Sequence, residues 1–242
     1  MSSQLSSGRE TDLVLVHGWC CHGGFWADVL HALGPGWRAI VPDLRGHGAR
    51  AGGGGWGIVD FAADVRAALT GARAREPLLV GHSMGAAAVL EAAVLLRIPP
   101  ERVVLIDPFV FDYGHLDERG VRRLMAPFRR DLARALQVMV GNLLGPRAAP
   151  SLRQWIAAQM AATPREAALA ALESLLRWDP APALRRLGGP CPVLATRCSS
   201  RAALERHASH IHITRLEDSG HFPMLEAPEA LAQWFRRFAP TG

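Results

Sequence analysis

The 242-residue chain carries 49% hydrophobic and 20% charged side chains, enough apolar material for one large buried core and too much for a disordered chain. Its formal charge is +5, yet all 27 basic residues are arginine, scattered in ones and twos without interleaved aromatics, a pattern that speaks against a nucleic-acid surface. Cys20, Cys21, Cys191 and Cys198 lack metal-type spacing and read as reduced thiols, and neither a secretory leader nor an apolar run near 18 residues occurs, so the expectation is a cytoplasmic, metal-free protein outside the membrane.

Residues 1–11 are small and polar and read as a frayed tail. Leu13–Val16 is a continuous apolar run, as expected of a strand covered on both faces of a parallel sheet, and it ends in the loop His17-Gly18-Trp19-Cys20-Cys21-His22-Gly23-Gly24. Phe25–Leu33 has helical spacing. Arg38–Pro42 is the next strand, followed by the loop Asp43-Leu44-Arg45-Gly46-His47-Gly48 and a run of four glycines, Gly52–Gly55, read as a flexible connection. Asp60–Leu69 reads as a helix, Leu78–Gly81 as a strand, and Met84–Leu96 as a helix rich in alanine.

Between that strand and helix stands Gly81-His82-Ser83-Met84-Gly85. A strand, a tight turn and a helix force the apical Ser83 toward positive φ, and side chains at 81 or 85 would collide with neighbouring backbone. The hydroxyl is thereby exposed, and the free N–H groups of the helix point at the space above it, where a carbonyl oxygen becomes negative during acyl transfer. Arg102–Ile106 is a further strand, ending at Asp107-Pro108. From Phe109 to about Arg186 the strand signal vanishes in favour of three amphipathic segments, Glu118–Leu144, Ser151–Ala162 and Pro164–Trp178. Strands resume at Cys191–Thr196 and His210–Leu216, separated by a helix over Arg201–His207 and followed by a last helix over Pro228–Phe238. Alternation of this kind predicts an α/β fold with a mostly parallel, doubly wound sheet. With about eleven residues before the first buried strand there is no room for an added hairpin, and the sheet should have about six strands.

His17-Gly18-Trp19, Asp43–Gly48, Gly81–Gly85 and Gly220-His221-Phe222-Pro223 together resemble, in order and over residues 12–238, the loops of the α/β-hydrolase superfamily. The resemblance implies a core over 1–110 and 187–242, with a helical cap over 111–186 inserted after the sixth strand of that family's usual sheet. It also implies no cofactor, Ser83 as nucleophile, His221 as general base and then acid, and the backbone N–H groups of Trp19 and Met84 as oxyanion hole. His17, His22, His47 and His82 are expected to serve structure, with His82 packed beneath the turn. Cys20, Cys21, His82, Met125, Phe128 and Trp155 are candidates for the substrate pocket, and Met139, Met160 and Trp178 add to the apolar stock of the cap. A nucleophilic role for Cys20 would need a base of its own.

The chain departs from the family pattern where the acid is usually found. After Cys191–Thr196 stand Arg197-Cys198-Ser199-Ser200, with no carboxylate before Glu205. Asp107, at the carboxyl end of the strand neighbouring Ser83's, lies on the same sheet edge and is the expected acid; Glu217 and Asp218 are its rivals. The reading is a serine hydrolase acting on a carboxylic ester, thioester or lactone with an apolar moiety. Gly18-Trp19-Cys20, Asp107 and the missing late acid are also similar to cofactor-free dioxygenases of the same fold that cleave hydroxy-quinolones, although histidines expected at 21 and 84 are Cys21 and Met84 here. The partner is therefore a small apolar ester or an aromatic substrate. Oligomeric state is not encoded in any pattern of the sequence.

Overall fold

The computed structural model describes residues 11–238; the polar tail expected over 1–11 lies outside them except for Thr11. Six strands form one all-parallel sheet in the order β2-β1-β3-β4-β5-β6: β1 Thr11–Val16, β2 Trp37–Ile40, β3 Leu78–His82, β4 Val103–Ile106, β5 Cys191–Thr196 and β6 Ile211–Leu216. Every residue of β1, β3 and β4 is buried, the physical counterpart of their uninterrupted apolar runs, because helices cover both faces of the sheet. The two edge strands, β2 and β6, are half-open to solvent.

The helices are α1 Ala27–Leu33, α2 Ile58–Ala72, α3 Met84–Leu96, α4 Glu118–Arg130, α5 Leu132–Leu143, α6 Pro150–Ala161, α7 Arg165–Arg177, α8 Ala181–Leu187, α9 Arg201–Arg206, α10 Pro223–Glu226 and α11 Pro228–Phe235. α3 is buried almost throughout, and its small side chains let it lie close against the sheet. Among the described residues no helix is long and apolar enough to cross a membrane.

The five helices between β4 and β5 share the hydrophobic core through residues such as Val121, Leu136, Ile156 and Leu172, and the last of them, α8, packs against α3. The segment expected as one helix over Glu118–Leu144 is two. Asp131 takes an extended conformation (φ −151°, ψ 96°) and its carboxylate accepts a hydrogen bond from the Arg134 N–H, so it starts α5 while ending α4. Its short acceptor side chain competes with the helix for backbone donors, and Pro127 in the preceding turn removes another.

Strand pairing aligns the ends that matter. Val16 lies beside Gly81, His82 beside Ile106, and Ile106 beside Leu194, so the residues following β1, β3, β4 and β5 emerge side by side. Three of them take positive φ without being glycine: Cys20 (56°), Ser83 (53°) and Asp107 (43°). Each such residue costs on the order of 1–3 kcal/mol and persists only where its surroundings over-determine it.

Candidate active site

Ser83 sits at the apex between β3 and α3 with φ 53° and ψ −117°. A Cβ on Gly81 would lie 2.3 Å from the Gly85 carbonyl oxygen, and one on Gly85 would lie 2.4 Å from that of His17, so both glycines are required by backbone contact. Ser83 is held by its own N–H, which donates to the Ile106 carbonyl at 3.0 Å. Among the described residues no hydrogen bond takes up the N–H of Met84, the first residue of α3, or that of Trp19.

Opposite stands His221. Its Nδ1 donates to Asp107 Oδ2 at 2.6 Å, which leaves Nε2 as the acceptor nitrogen of the neutral ring. Asp107 is fully buried and receives two further hydrogen bonds, from the Thr196 hydroxyl at 2.9 Å and from the Ser199 hydroxyl. Burial alone would push its carboxyl up; the hydrogen bond and charge of His221, with the two hydroxyls, outweigh that and hold it below the usual carboxylate range. The rival acids lie elsewhere. Asp218 is 82% exposed and pairs with Arg147 at 2.7 Å, and Glu217 is also exposed, near Arg215.

The four histidines expected to serve structure tie elements together. His82 Nε2 donates to the His221 carbonyl at 2.7 Å, its ring centroid lies 4.6 Å from that of His221, and burial together with His221 keeps it neutral. His17 receives the Leu44 N–H at Nε2 (3.0 Å) and donates from Nδ1 to the Gly18 carbonyl (2.8 Å); burial, then His47, pushes it down to about 3. It thus ties the 17–24 loop to the loop after β2. His22 bridges from that loop to Gln159 on α6 at 3.0 Å, while His47 Nδ1 donates to the Arg45 carbonyl at 3.0 Å and its ring lies 5.2 Å from that of His17.

Ser83 and His221 line one cavity of about 50 Å³, together with Trp19, Cys21, His82 and Phe222 from the core, Val110, Phe111 and Tyr113 from the segment after β4, and Met139, Leu143, Met160, Leu172 and Leu175 from the insertion. Of the expected pocket residues, Cys21 and His82 belong to this wall; Cys20, Met125, Phe128 and Trp155 do not. Cys20 faces a separate recess beside His22 and Thr163. Met125 is fully buried within the helical packing, Phe128 meets the outside of Trp19 edge-on at 5.2 Å, and Trp155 is 40% exposed against Phe25. Burial raises the thiols of Cys20 and Cys21 well above their ordinary range, which favours the protonated thiol over the nucleophilic thiolate.

Three residues carry weight that no sequence motif signalled. Thr196 and Ser199 donate to Asp107, and Glu226, at the end of α10, accepts the N–H groups of Gly145 (2.7 Å), Gly220 (3.1 Å) and Phe222 (3.2 Å). The His221 N–H itself donates to Leu143 at the end of α5, 2.7 Å away. The only advance sign of Glu226 was a carboxylate one turn after the Phe222-Pro223 helix start.

A family model described as "Alpha/beta hydrolase family" matches residues 13–234. The chain is 29% identical to a pimeloyl-[acyl-carrier protein] methyl ester esterase of Methylococcus capsulatus over an alignment covering 96% of each. Its fold resembles an esterase from Exiguobacterium antarcticum (TM-score 0.84, 18% identity, 97% and 93% of the two chains) and an esterase from Thermogutta terrifontis (TM-score 0.80, 24% identity, 96% and 92%).

Proposed function

The chain belongs to the alpha/beta hydrolase family and is a hydrolase, and from that premise we propose that it cleaves a small carboxylic ester with an apolar acyl group through Ser83, His221 and Asp107. One observation carries the reading: a buried His221–Asp107 pair at 2.6 Å opens onto the same cavity as a serine in a strained strand-to-helix turn. The relatives aligned over nearly their whole length are named as esterases of a methyl ester, which supports an ester over an amide.

Ser83 Oγ attacks the ester carbonyl as His221 Nε2 takes its proton, and Asp107 stabilises the imidazolium while fixing its tautomer. The negative carbonyl oxygen is received by the Trp19 and Met84 N–H groups, backed by the positive end of α3. His221 returns the proton to the departing alcohol. A water, deprotonated by the same Nε2, then attacks the acyl-enzyme and frees Ser83. Residues 111–186 act as the cap, since Met139, Leu143 and Met160 form the cavity wall opposite the sheet.

Ser83→Ala tests this directly. Loss of a triad nucleophile costs on the order of 10⁶ in kcat elsewhere, so the variant should lose p-nitrophenyl ester hydrolysis and labelling by a fluorophosphonate; a rate above a tenth of wild type overturns the mechanism. Oxygen consumption with ring cleavage of a hydroxy-quinolone, retained in Ser83→Ala and lost in His221→Ala, would replace hydrolysis by the dioxygenase chemistry.

A further inference from the structure

Tyr113 is the sole tyrosine of the chain, and it lies in the irregular segment between β4 and α4. It is 3% exposed, yet its hydroxyl has no hydrogen-bond partner among the described residues. A buried phenol ordinarily finds one, because an unpaired buried hydroxyl gives up its hydration with nothing in return. Among the described residues four other buried side-chain polar atoms lack partners, on Trp26, His47, Trp56 and His207, and are closed in by protein; the Tyr113 oxygen is not among them and borders open space. Tyr113 lines the cavity that holds Ser83 and His221. Its ring is fixed from two sides, edge-on to Phe111 at 6.0 Å and against Trp178 at 6.3 Å.

The cavity wall contributes no lysine, arginine or free carboxylate. Histidine nitrogens aside, the phenol and the Ser83 hydroxyl are its side-chain oxygen groups, and Ser83 is committed to the reacting carbonyl. With burial and Asp107 nearby, Tyr113 stays protonated and is a donor, and the absence of a cation in the wall makes the site unsuited to an anionic group.

We infer that Tyr113 is a specificity-determining residue of the same site, donating a hydrogen bond from its hydroxyl to a neutral oxygen, an ether, keto or hydroxyl oxygen, carried on the substrate's acyl chain. The inference rests on the hydrolytic reading above and narrows it from an apolar acyl group to an oxygen-bearing one. The acyl group is the right half of the ester because it stays through both chemical steps, whereas the alcohol leaves after the first. A cavity of about 50 Å³ restricts the chain to a few heavy atoms beyond the carbonyl. A site built to satisfy a polar group also rejects analogues that lack it, which makes an unpaired phenol a discriminating element as well as an attractive one.

Two isosteric pairs test it: p-nitrophenyl methoxyacetate against butyrate, and 3-methoxypropionate against pentanoate, each rate corrected for the ester's hydroxide-catalysed hydrolysis. The wild-type enzyme should favour the oxygen-bearing member of at least one pair by about tenfold or more in kcat/KM. Tyr113→Phe, which removes only the hydroxyl, should erase that preference by lowering the oxygen-bearing ester about ten- to a hundredfold, leaving the hydrocarbon ester within about threefold. Equal loss on both members, a preference that survives in Tyr113→Phe, or turnover of all four esters with no preference overturns the inference alone. No turnover of any ester and no fluorophosphonate label on Ser83 overturns the hydrolytic reading and this inference with it.

Discussion

The end of β4 and the loop after β5 stand side by side at the carboxyl edge of the sheet, joined by the Asp107 N–H donating to the Leu194 carbonyl at 2.7 Å, yet they carry opposite chemistry. The first presents a buried carboxylate on a residue with positive φ; the second, where the family pattern leads one to look for an acid, presents Arg197, Cys198, Ser199 and Ser200. The second loop still serves the charge. Thr196 and Ser199 turn their hydroxyls onto Asp107, and Arg197 and Cys198 both contact backbone at the end of α5. A carboxylate stripped of water is costly until its lone pairs are filled, so the site for an acid is defined by where a histidine nitrogen and neighbouring donors converge. Adjacent parallel strands offer two such places within reach of one histidine.

The comparison breaks most visibly at Asp107. Asp107→Asn should lower kcat by about 10²–10⁴ with little change in KM, because the amide favours the wrong His221 tautomer and cannot balance the imidazolium; a loss under tenfold would return the acid to another residue. Glu226→Gln probes the other support of His221. With one acceptor oxygen in place of two shared among three N–H groups, kcat/KM should drop about tenfold and the melting temperature by about 5 °C, reflecting roughly 2 kcal/mol; an unchanged melting curve would mean the three amides find water instead.

Ser199→Ala sharpens the contrast between the two loops. Losing a donor raises the folded-state value of the Asp107 carboxyl toward the unfolded one. A depressed carboxylate contributes stability that is complete above its unfolded value, about 3.9, and is lost as pH falls through its folded value. The variant should therefore be the less stable protein above pH 5, while its melting temperature falls less than wild type's as pH drops from 5 toward 2: both curves start down together near the unfolded value and the variant levels off at the higher pH. Its kcat should drop three- to tenfold, and coincident pH profiles would remove Ser199 from the support of Asp107. Smallest is Asp218→Asn: an exposed ion pair contributes about 0–1 kcal/mol, so kcat should change less than tenfold, and a larger loss there than at Asp107 would reverse the acid assignment.

Much of the sheet and the meeting of Ser83, Asp107 and His221 could be read from the chain, because in a parallel sheet the apolar runs mark strands and the strand ends on one edge lie together, one short motif at a time. The order Ser83, Asp107, His221 and the count of six strands follow from that locality. The insertion resists the same reading. Helical periodicity tells which side of Met125 or Phe128 is apolar but not whether that side meets another helix, the sheet or a cavity, so Met139 and Met160 reach the wall while Met125 and Phe128 pack behind it. Tyr113 and Glu226 act through contacts between segments more than 60 residues apart or from irregular backbone, and neither stands in a recurring pattern.

The meeting of Gly145 with Gly220 bears on how this architecture can be recombined. A Cβ on Gly220 would come within 2.2 Å of the Leu143 carbonyl oxygen, and one on Gly145 within 2.7 Å of the Glu226 carboxylate, so the end of α5 and the histidine loop fit only as a matched set. Grafting an insertion from a relative at its obvious borders would carry in a foreign α5 terminus and leave Gly220, His221 and Glu226 behind. A chimera that keeps activity would have to exchange residues 143–145 and 218–226 together, although more than 70 positions separate them along the chain.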